Sequence, residues 1–267
     1  MDKNKQEEIK QKVRENYGKI AQNSTSCCGP SGQSGCSCGT QPLSADKMSK
    51  RLGYSDEDID NVPKGSNLGL GCGNPSAIAS LKKGEIVLDL GSGAGFDCFL
   101  AAKQVGDKGR VIGVDMTHEM LSKARTNAEK NNYKNVEFRL GEIEHLPVAD
   151  NSVDIVISNC VVNLSPDKPA VYSEVFRVLK PKGRIAISDV VITAEIPDKI
   201  KKDLELWSAC ATGAETVSGL EKILKKAGFK NISIQPVNTS REFIKEWMPG
   251  SKIEDFVMSA NIAAIKP

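Results

Sequence analysis

The cysteines are the residues of this chain best suited to catalysis or metal binding, since there are eight of them against two histidines. In a reducing compartment, thiols serve metal binding, catalysis or packing rather than a structural disulfide set. Cys72, Cys160 and Cys210 stand in three separate segments. Three thiolates that converge form a site for a soft, trigonal centre. Cys98, inside a predicted helix, is expected to be a small core residue.

The histidines offer little to catalysis. His118 begins a predicted helix and His145 lies in a loop, so both are interpreted as surface or capping residues. Reactions of nitrogen and oxygen nucleophiles usually need a base within reach. The chain therefore favours a reaction that runs without a histidine base.

A glycine loop follows the first predicted strand, in the sequence VLDLGSGAGF. Gly91, Gly93 and Gly95 permit a tight turn and the close approach of a ligand to the backbone. A dinucleotide fingerprint would need a small residue where Phe96 stands. An NAD-dependent enzyme is therefore the second choice on fold alone.

Acidic and amide side chains stand where the predicted strands end. Asp89 precedes the glycines, and Asp115 ends the second strand, where it can accept hydrogen bonds from ribose hydroxyls. The third strand ends at Gly141-Glu142-Ile143, where a carboxylate can reach an adenine amino group. The fourth ends at Asn159-Cys160. In an open α/β sheet, ligands bind at the carboxyl ends of the strands.

The elements that position these residues alternate between strand and helix, which indicates a doubly wound α/β domain with a parallel sheet. Lys180-Pro181-Lys182-Gly183 is predicted to be a turn between a helix and a strand. Before this domain, a short amphipathic helix precedes a stretch rich in Cys, Gly and Ser. The strands are predicted at Ile86–Leu90, Arg110–Asp115, Val136–Leu140, Val153–Ser158, Ile185–Asp189, Ile232–Gln235 and Val257–Ile265, and the helices outside the central domain at 5–21, 44–52 and Gly219–Ala227.

Length and charge exclude several classes. A chain of 267 residues with a net charge of +2 lacks the basic excess of a nucleic-acid binder. No apolar run approaches the ~20 residues that a membrane span needs, and no secretory signal follows the first charged residues. We expect a cytoplasmic protein that acts without nucleic acid or membrane.

The glycine loop and its acidic partners resemble those of the class I S-adenosylmethionine-dependent methyltransferases, over roughly residues 75–235. The resemblance implies a Rossmann-like sheet of seven strands, the last antiparallel and supplied by the C-terminal strand. It also implies S-adenosylmethionine as the cofactor. The cofactor-binding residues implied are Asp89, Gly91, Ser92, Gly93, Gly95, Asp115, Met116, Glu142, Ile143 and Asn159.

Longer motifs resemble the arsenite methyltransferases across nearly the whole chain. They are VRENYGKIA before Cys27-Cys28, LGYSDEDIDNVPKGSNLGLGCGNP, VLDLGSGAGFDCFLAA, SNCVVNLSPDK, WSACATGA and SANIAAIKP. The resemblance implies that Cys72, Cys160 and Cys210 bind trivalent arsenic and serve catalysis, with Cys27 or Cys28 as a fourth thiol. Cys36 and Cys38 fall outside this pattern. They are interpreted as accessory metalloid or redox thiols, or as part of a variable loop.

Three portions follow from this resemblance. Residues 1–74 hold the N-terminal helix, the cysteine-rich extension and a substrate loop; residues 75–190 form the cofactor-binding core; and residues 191–267 hold a substrate-binding insertion and the C-terminal strands. The expected reaction is stepwise methyl transfer to thiolate-bound As(III). The expected partners are arsenite, its glutathione conjugates and a thiol reductant such as glutathione or thioredoxin, and the chain is expected to act as a monomer.

Two rival functions remain open at this point. A methyltransferase for a small organic carbon or oxygen acceptor would keep the glycine loop but would not need the cysteines. A metalloid- or zinc-binding protein without turnover would keep the cysteines. The N-terminal spacing, however, lacks the ordinary C-x2-C pattern of zinc sites.

Overall fold

The structure of the chain is a computed structural model, which describes residues 2–23, 44–197, 213–247, 250 and 252–267. The cysteine-rich stretch that contains Cys27, Cys28, Cys36 and Cys38 lies outside these residues, as does the segment that contains Cys210.

An eight-stranded sheet forms the centre of the described structure. Its main path runs β3-β2-β1-β4-β5-β8-β7, and the two-residue strand β6 pairs with β5. Strands β1 to β5 pair in parallel, whereas β8 runs antiparallel to both β5 and β7. The bounds are β1 Ile86–Leu90, β2 Arg110–Asp115, β3 Val136–Leu140, β4 Val153–Asn159, β5 Leu179–Ile192, β6 Glu215–Thr216, β7 Lys230–Pro236 and β8 Val257–Ile265.

Nine α-helices accompany these strands among the described residues. They are α1 Lys3–Asn23, α2 Ala45–Arg51, α3 Asp56–Asp60, α4 Pro75–Ala79, α5 Phe96–Val105, α6 His118–Lys130, α7 Lys168–Val178, α8 Val217–Ala227 and α9 Arg241–Ile244. None of the described helices is long and apolar enough to cross a membrane.

Helix ends follow from local sequence. Ser55 starts α3 with a reciprocal capping box to Asp58, and Asn74 caps α4, whose first residue is Pro75. Thr216 caps α8, which ends at Gly228 in the left-handed conformation. These caps fix where each connection leaves its helix.

Apolar side chains fill both faces of the sheet, as a parallel sheet between helices requires. One core cluster contains Leu88, Val156 and Val175 together with Leu224 of α8. A second cluster, on the other face, contains Val87 and Phe99. Strands buried on both sides read as nearly continuous apolar runs, which is why sequence alone locates them.

The predicted architecture is confirmed, with two corrections. The C-terminal strand supplies the expected antiparallel strand, but β6 adds an eighth strand beside β5. Lys180-Pro181-Lys182-Gly183 is not a turn between helix and strand, because β5 already begins at Leu179. The register jumps from the pair Val153–Leu179 to the pair Ile155–Arg184, so the extra residues form a bulge in which Lys182 has a φ of +67°.

The N-terminal segments cover part of the sheet's carboxyl edge. Ile9 and Val13 of α1 and Leu52 and Tyr54 of the following segment belong to one apolar cluster with Cys72, Cys160 and Val190. This cluster joins segments that lie far apart in sequence, and the candidate site lies within it.

Candidate active site

Two of the predicted cysteines meet at the carboxyl edge of the sheet. The sulfurs of Cys72 and Cys160 and a carboxylate oxygen of Asp189 all lie within 4.8 Å of one another, and all three residues are buried. Cys72 comes from the loop before α4, Cys160 directly follows β4, and Asp189 belongs to β5. The convergence expected for these two cysteines is therefore present, with a carboxylate beside them that the sequence did not indicate.

Cys160 has an unusual backbone conformation. Its φ is +59°, in the left-handed region that residues with a Cβ rarely adopt, and its N–H donates to the carbonyl of Ser188 at 2.8 Å. Such strain persists only where surrounding contacts enforce it, and it clusters at functional sites. Here it turns the chain sharply at the end of β4, next to the sulfur of Cys72.

The Cys72 loop is held by the side chain of Asn159. Its Oδ1 accepts from the N–H of Cys72 at 2.9 Å, and its Nδ2 donates to the carbonyl of Gly73 at 2.8 Å. The Cys72 sulfur lies 3.5 Å from the carbonyl oxygen of Ser188. Asn159 was predicted to bind the cofactor; these contacts direct its side chain at the cysteine loop.

A buried hydrogen-bond chain continues from Asn159 to the glycine loop. Nδ2 of Asn159 also contacts the hydroxyl of Tyr54 at 3.0 Å, and that hydroxyl donates to Oδ1 of Asp97 at 2.7 Å. Asp97 is the second residue of α5, two residues after Gly95. Burial raises the pKa of Asp97 to about 6, against the hydrogen bonds that lower it. The segment that carries Cys72 is thus tied to the helix that follows the glycine loop.

Asp189 is positioned by three hydrogen-bond donors. Its Oδ1 accepts from the N–H of Val190 and from Nδ2 of Asn163, both at 2.8 Å, and its Oδ2 accepts from the N–H of Asn163 at 3.1 Å. Burial raises the pKa of Asp189 to about 6, and the backbone donors and the charge of Lys168 act in the opposite direction.

The glycine loop has the geometry that its sequence predicts. Gly91, Gly93 and Gly95 all have positive φ, at 65°, 52° and 94°. A Cβ on Gly95 would lie 2.7 Å from the ring of Phe99, so this position requires glycine for space as well as conformation. The turn leads into the N-terminus of α5, whose backbone N–H groups favour polar ligand atoms.

Asp115 and Asp89 flank this loop. The carboxylate of Asp115 accepts from the N–H of Gly93 at 2.9 Å and from the N–H of Thr117 at 2.8 Å, so its position beside the glycine turn is fixed. Asp89 is buried and accepts from the Cys98 thiol at 3.2 Å. Burial, together with the charge of Asp97, holds the pKa of Asp89 well above its usual range. Cys98 is a core residue, as predicted, with no exposed surface.

An open cleft of about 650 Å³ extends from the ends of β2 and β3. Its walls include the predicted cofactor residues Met116 and Glu142, together with the exposed side chain of Leu140. Helix α1 forms another wall, and the ammonium of Lys10 binds Glu142 at 2.7 Å. Glu142 also pairs with Arg14 at 3.2 Å, so two ion pairs from its carboxylate hold α1 against the cleft.

These features fit S-adenosylmethionine. The glycine turn leads to the backbone N–H groups at the N-terminus of α5, Asp115 offers a carboxylate for ribose hydroxyls, and the cleft beside Leu140 and Met116 suits a flat base. Both histidines are exposed, as expected, and His118 lies at the rim of the cleft.

The structure leaves part of the predicted site untested and adds residues that the sequence did not indicate. Cys27, Cys28 and Cys210 lie outside the described residues. Tyr54, Asp97 and Asp189 were not predicted. The only sequence signal for Asp189 was its place at the end of a strand, since Asp189 closes the predicted run Ile185–Asp189 as Asp115 closes β2.

The sheet order, the glycine turn and the acidic residue at the end of β2 define an S-adenosylmethionine-dependent methyltransferase. The family described as "Methyltransferase domain" matches residues 81–228. The chain is 53% identical over 266 residues to the arsenite methyltransferase of Halobacterium salinarum, covering 98% of this chain and 67% of that protein. The chain belongs to the arsenite methyltransferase family.

Further relatives agree. The chain is 36% identical to the arsenite methyltransferase of Aquipseudomonas alcaligenes, covering 88% of this chain and 66% of that protein. An arsenic(III) S-adenosylmethionine methyltransferase of Chlamydomonas reinhardtii has a similar structure, with a TM-score of 0.61 and 31% identity over 85% of this chain and 74% of that one. The chain thus spans about two thirds of the length of the Halobacterium and Aquipseudomonas relatives.

Proposed function

We propose that this chain transfers methyl groups from S-adenosylmethionine to trivalent arsenic bound by its cysteines. The observation that carries the proposal is the pair of buried sulfurs, Cys72 and Cys160, which lie within 4.8 Å of each other at the edge of the sheet where the glycine loop lies. Two thiolates at this separation suit a soft, thiophilic centre. A methyltransferase that acts on an organic acceptor would not need these two sulfurs.

The residues present suit arsenic chemistry. When bound, S-adenosylmethionine supplies a methyl group on a sulfonium. Trivalent arsenic keeps a lone pair, so it attacks that methyl carbon directly and needs no proton acceptor, which agrees with the two exposed histidines. Fixing the two reactants about 3–3.5 Å apart supplies the advantage of proximity.

The remaining ligands come from segments outside the described residues. We assign Cys210 as the third thiolate and Cys27 or Cys28 as a further thiol, on the resemblance of their motifs. Arsenous acid that reacts with three thiols releases three waters, because each thiol proton leaves on a hydroxide. Glutathione conjugates of arsenite would instead exchange thiol for thiol.

A thiol reductant completes the cycle. Methylation leaves arsenic pentavalent, and a thiolate that attacks one arsenic-bound sulfur forms a disulfide and returns the two electrons to arsenic. Glutathione or thioredoxin then restores the cysteines. We place this activity in the cytoplasm, in a monomer, with residues 75–190 as the cofactor-binding core and the flanking portions, 1–74 and 191–267, supplying the arsenic ligands.

Arsenic speciation tests the proposal. The protein is incubated with arsenite, S-adenosylmethionine and glutathione, and products are separated by chromatography with elemental detection. We expect mono- and dimethylated arsenic from the wild type, and at least a tenfold lower rate from Cys72→Ser and Cys160→Ser. Cys98→Ser is the matched control, because this buried cysteine lies beside Asp89 and its replacement keeps a hydrogen-bond donor. Unmodified arsenite from the wild type, with both ligands shown to bind, would reject the proposal.

A further inference from the structure

Asp189 is the one member of the buried cluster that the proposed chemistry leaves without a role. A carboxylate is a poor ligand for a soft centre such as trivalent arsenic, which prefers sulfur. Yet its oxygen lies within 4.8 Å of the sulfurs of both Cys72 and Cys160, and Asp189 is 2% exposed. A buried carboxylate carries a large desolvation cost unless its surroundings stabilise it.

The hydrogen bonds around Asp189 offset part of the cost of burying its negative charge. Three donors point at its two oxygens: the N–H of Val190, the N–H of Asn163 and the side-chain amide of Asn163. The buried ammonium of Lys168 also acts on this carboxylate, which favours its charged form. The fold therefore holds an oriented acceptor beside the thiols, at a place that water barely reaches.

Methyl transfer to arsenic moves a positive charge toward this carboxylate. The arsenic lone pair forms the new arsenic–carbon bond, the carbon–sulfur bond breaks, and its electron pair stays on the sulfur of S-adenosylhomocysteine. A neutral arsenic trithiolate thereby becomes a cation, and the sulfonium becomes a neutral thioether. No proton is transferred, so the positive charge that appears on arsenic must be stabilised electrostatically.

We propose that Asp189 is the residue that stabilises the positive charge developing on arsenic during methyl transfer. This inference rests on the proposed function. A preorganised charge in a dry site is effective because it requires no rearrangement at the moment of reaction. The same carboxylate attracts the sulfonium before the reaction, but more weakly, because the charge then lies on the donor sulfur and not on the arsenic bound beside Asp189.

A purely structural role makes a different prediction. The bonds from Asn163 to Asp189 also anchor the turn Val162–Leu164, which follows Cys160. If this anchoring were the only role, Asp189→Asn would weaken arsenite binding and methylation together. A charge-stabilising role separates the two, because the neutral substrate does not carry the charge that develops later.

The first test compares binding with chemistry in Asp189→Asn, which keeps the size and one acceptor oxygen but removes the charge. We expect arsenite affinity within about threefold of the wild type, and a single-turnover methylation rate lower by about 30- to 100-fold. A rate within threefold of the wild type would overturn the inference, as would equal losses in affinity and rate.

The second test needs no turnover. In the arsenite-loaded protein, affinities are measured for S-adenosylhomocysteine, which is neutral at sulfur, and for a cofactor analogue with a protonated amine in place of the sulfonium. Asp189→Asn should weaken the cationic analogue at least fivefold more than the neutral product. Equal effects on both ligands would indicate a structural residue and overturn the inference.

Two controls complete the design. Asp189→Ala serves as a second variant if Asp189→Asn folds poorly. We expect added formate, but not formamide, to restore part of its methylation rate. No recovery with formate would count against the inference. The wild-type arm separates the two proposals. If it makes no methylated arsenic, the proposed function fails; if it does and Asp189→Asn matches it, only the role of Asp189 fails.

Discussion

The side-chain amide of Asn159 holds the backbone of Cys72 and Gly73 at both ends of this residue pair. It accepts from the N–H of Cys72 at 2.9 Å and donates to the carbonyl of Gly73 at 2.8 Å. The residue after Asn159 is Cys160, so one short piece of chain carries the second sulfur and fixes the loop that carries the first. The separation of the two thiols is therefore determined at the end of β4, before any ligand arrives.

Removing this amide should misplace Cys72 without disturbing the cofactor site. We expect Asn159→Ala to weaken arsenite binding at least tenfold, because the N–H of Cys72 and the carbonyl of Gly73 lose their shared partner. Equilibrium dialysis measures the arsenite affinity, and calorimetry measures the affinity for S-adenosylhomocysteine. If the affinities for arsenite and for S-adenosylhomocysteine fell equally, the result would instead support the predicted role of Asn159 in cofactor binding.

Tyr54 should act through Asn159. Its hydroxyl bridges Asp97 and the side chain of Asn159, and the residue is buried. Tyr54→Phe removes the bridge and takes one side-chain donor from Asp97, so we expect a loss of about 1–3 kcal/mol in the free energy of unfolding and a weaker affinity for arsenite. Urea titration and equilibrium dialysis measure the two effects.

Tyr133→Phe is the matched control for that experiment. The hydroxyl of Tyr133 makes a long, exposed contact of 3.5 Å with the carbonyl of Asn61, while its ring packs on Phe99. We expect a change below about 0.5 kcal/mol and an unchanged arsenite affinity. Equal effects of the two substitutions would show that the Tyr54 hydroxyl has no special part in the site.

The fold was predictable because its signals are local. The strands Ile86–Leu90, Arg110–Asp115 and Val136–Leu140 match their predicted bounds, since each is a short apolar run between loop residues. The bulge at Lys180–Gly183 was missed because a Pro-Gly stretch predicts a turn from sequence, while the pairing of Leu179 with Val153 is a tertiary contact that starts the strand earlier.

The site was only partly predictable for the same reason. Cys72 and Cys160 stand in motifs that can be recognised along the chain. Tyr54 and Asp97 lie 43 residues apart, and their hydrogen bond exists only because the N-terminal segment folds onto α5. A tyrosine in a polar stretch carries no sign of such a contact, so only the structure assigns Tyr54 to the site.

Gly71 should be irreplaceable for reasons of space. Its φ is +122°, and a Cβ placed on it would lie 2.7 Å from the side-chain amide of Asn159. We expect Gly71→Ala to displace Asn159 or the Cys72 loop and to reduce arsenite affinity at least tenfold. Gly84→Ala separates crowding from backbone strain, because Gly84 has a φ of +85° and a methyl group added to it would have no atom within 4 Å. That control should lose about 1–2 kcal/mol of stability but keep its arsenite affinity; a similar loss of affinity in both variants would contradict the crowding argument.

The ion pairs beneath α1 should tune cofactor binding. Lys10 contacts Glu142 at 2.7 Å and Glu144 at 3.5 Å, and α1 forms a wall of the cleft. Lys10→Ala leaves the carboxylate of Glu142 in place but loosens the wall, so we expect a two- to fivefold weaker affinity for S-adenosylhomocysteine at low salt. The difference should shrink at high salt, since partly exposed pairs are screened. Lys5→Ala, an exposed position on the same helix, is the control, and an equal effect there would point to net charge instead of this contact.

The buried carboxyl of Asp97 should make stability depend on pH. Its pKa is about 6 in the folded chain because burial raises it, and the negative charge of Asp58 acts in the same direction. The unfolded chain releases this proton near the ordinary value of 3.8. Between these values the unfolded state binds fewer protons, so the free energy of unfolding falls as pH rises through this window, by up to roughly 3 kcal/mol.

Asp97→Asn isolates that contribution, because an amide oxygen still accepts from Tyr54 but cannot ionise. We expect the variant to lose less stability than the wild type between pH 4.5 and 7.5, and urea titrations across that range measure the difference. Asp107→Asn is the control, since this aspartate is exposed and its replacement should leave the wild-type slope. Parallel curves for Asp97→Asn and the wild type would mean that Asp97 is already ionised at low pH, and that the Tyr54 hydroxyl donates to a charged carboxylate throughout. In that case the link between the Cys72 segment and the glycine loop would be a charged hydrogen bond, and Tyr54→Phe should then cost more than Asp97→Asn at every pH.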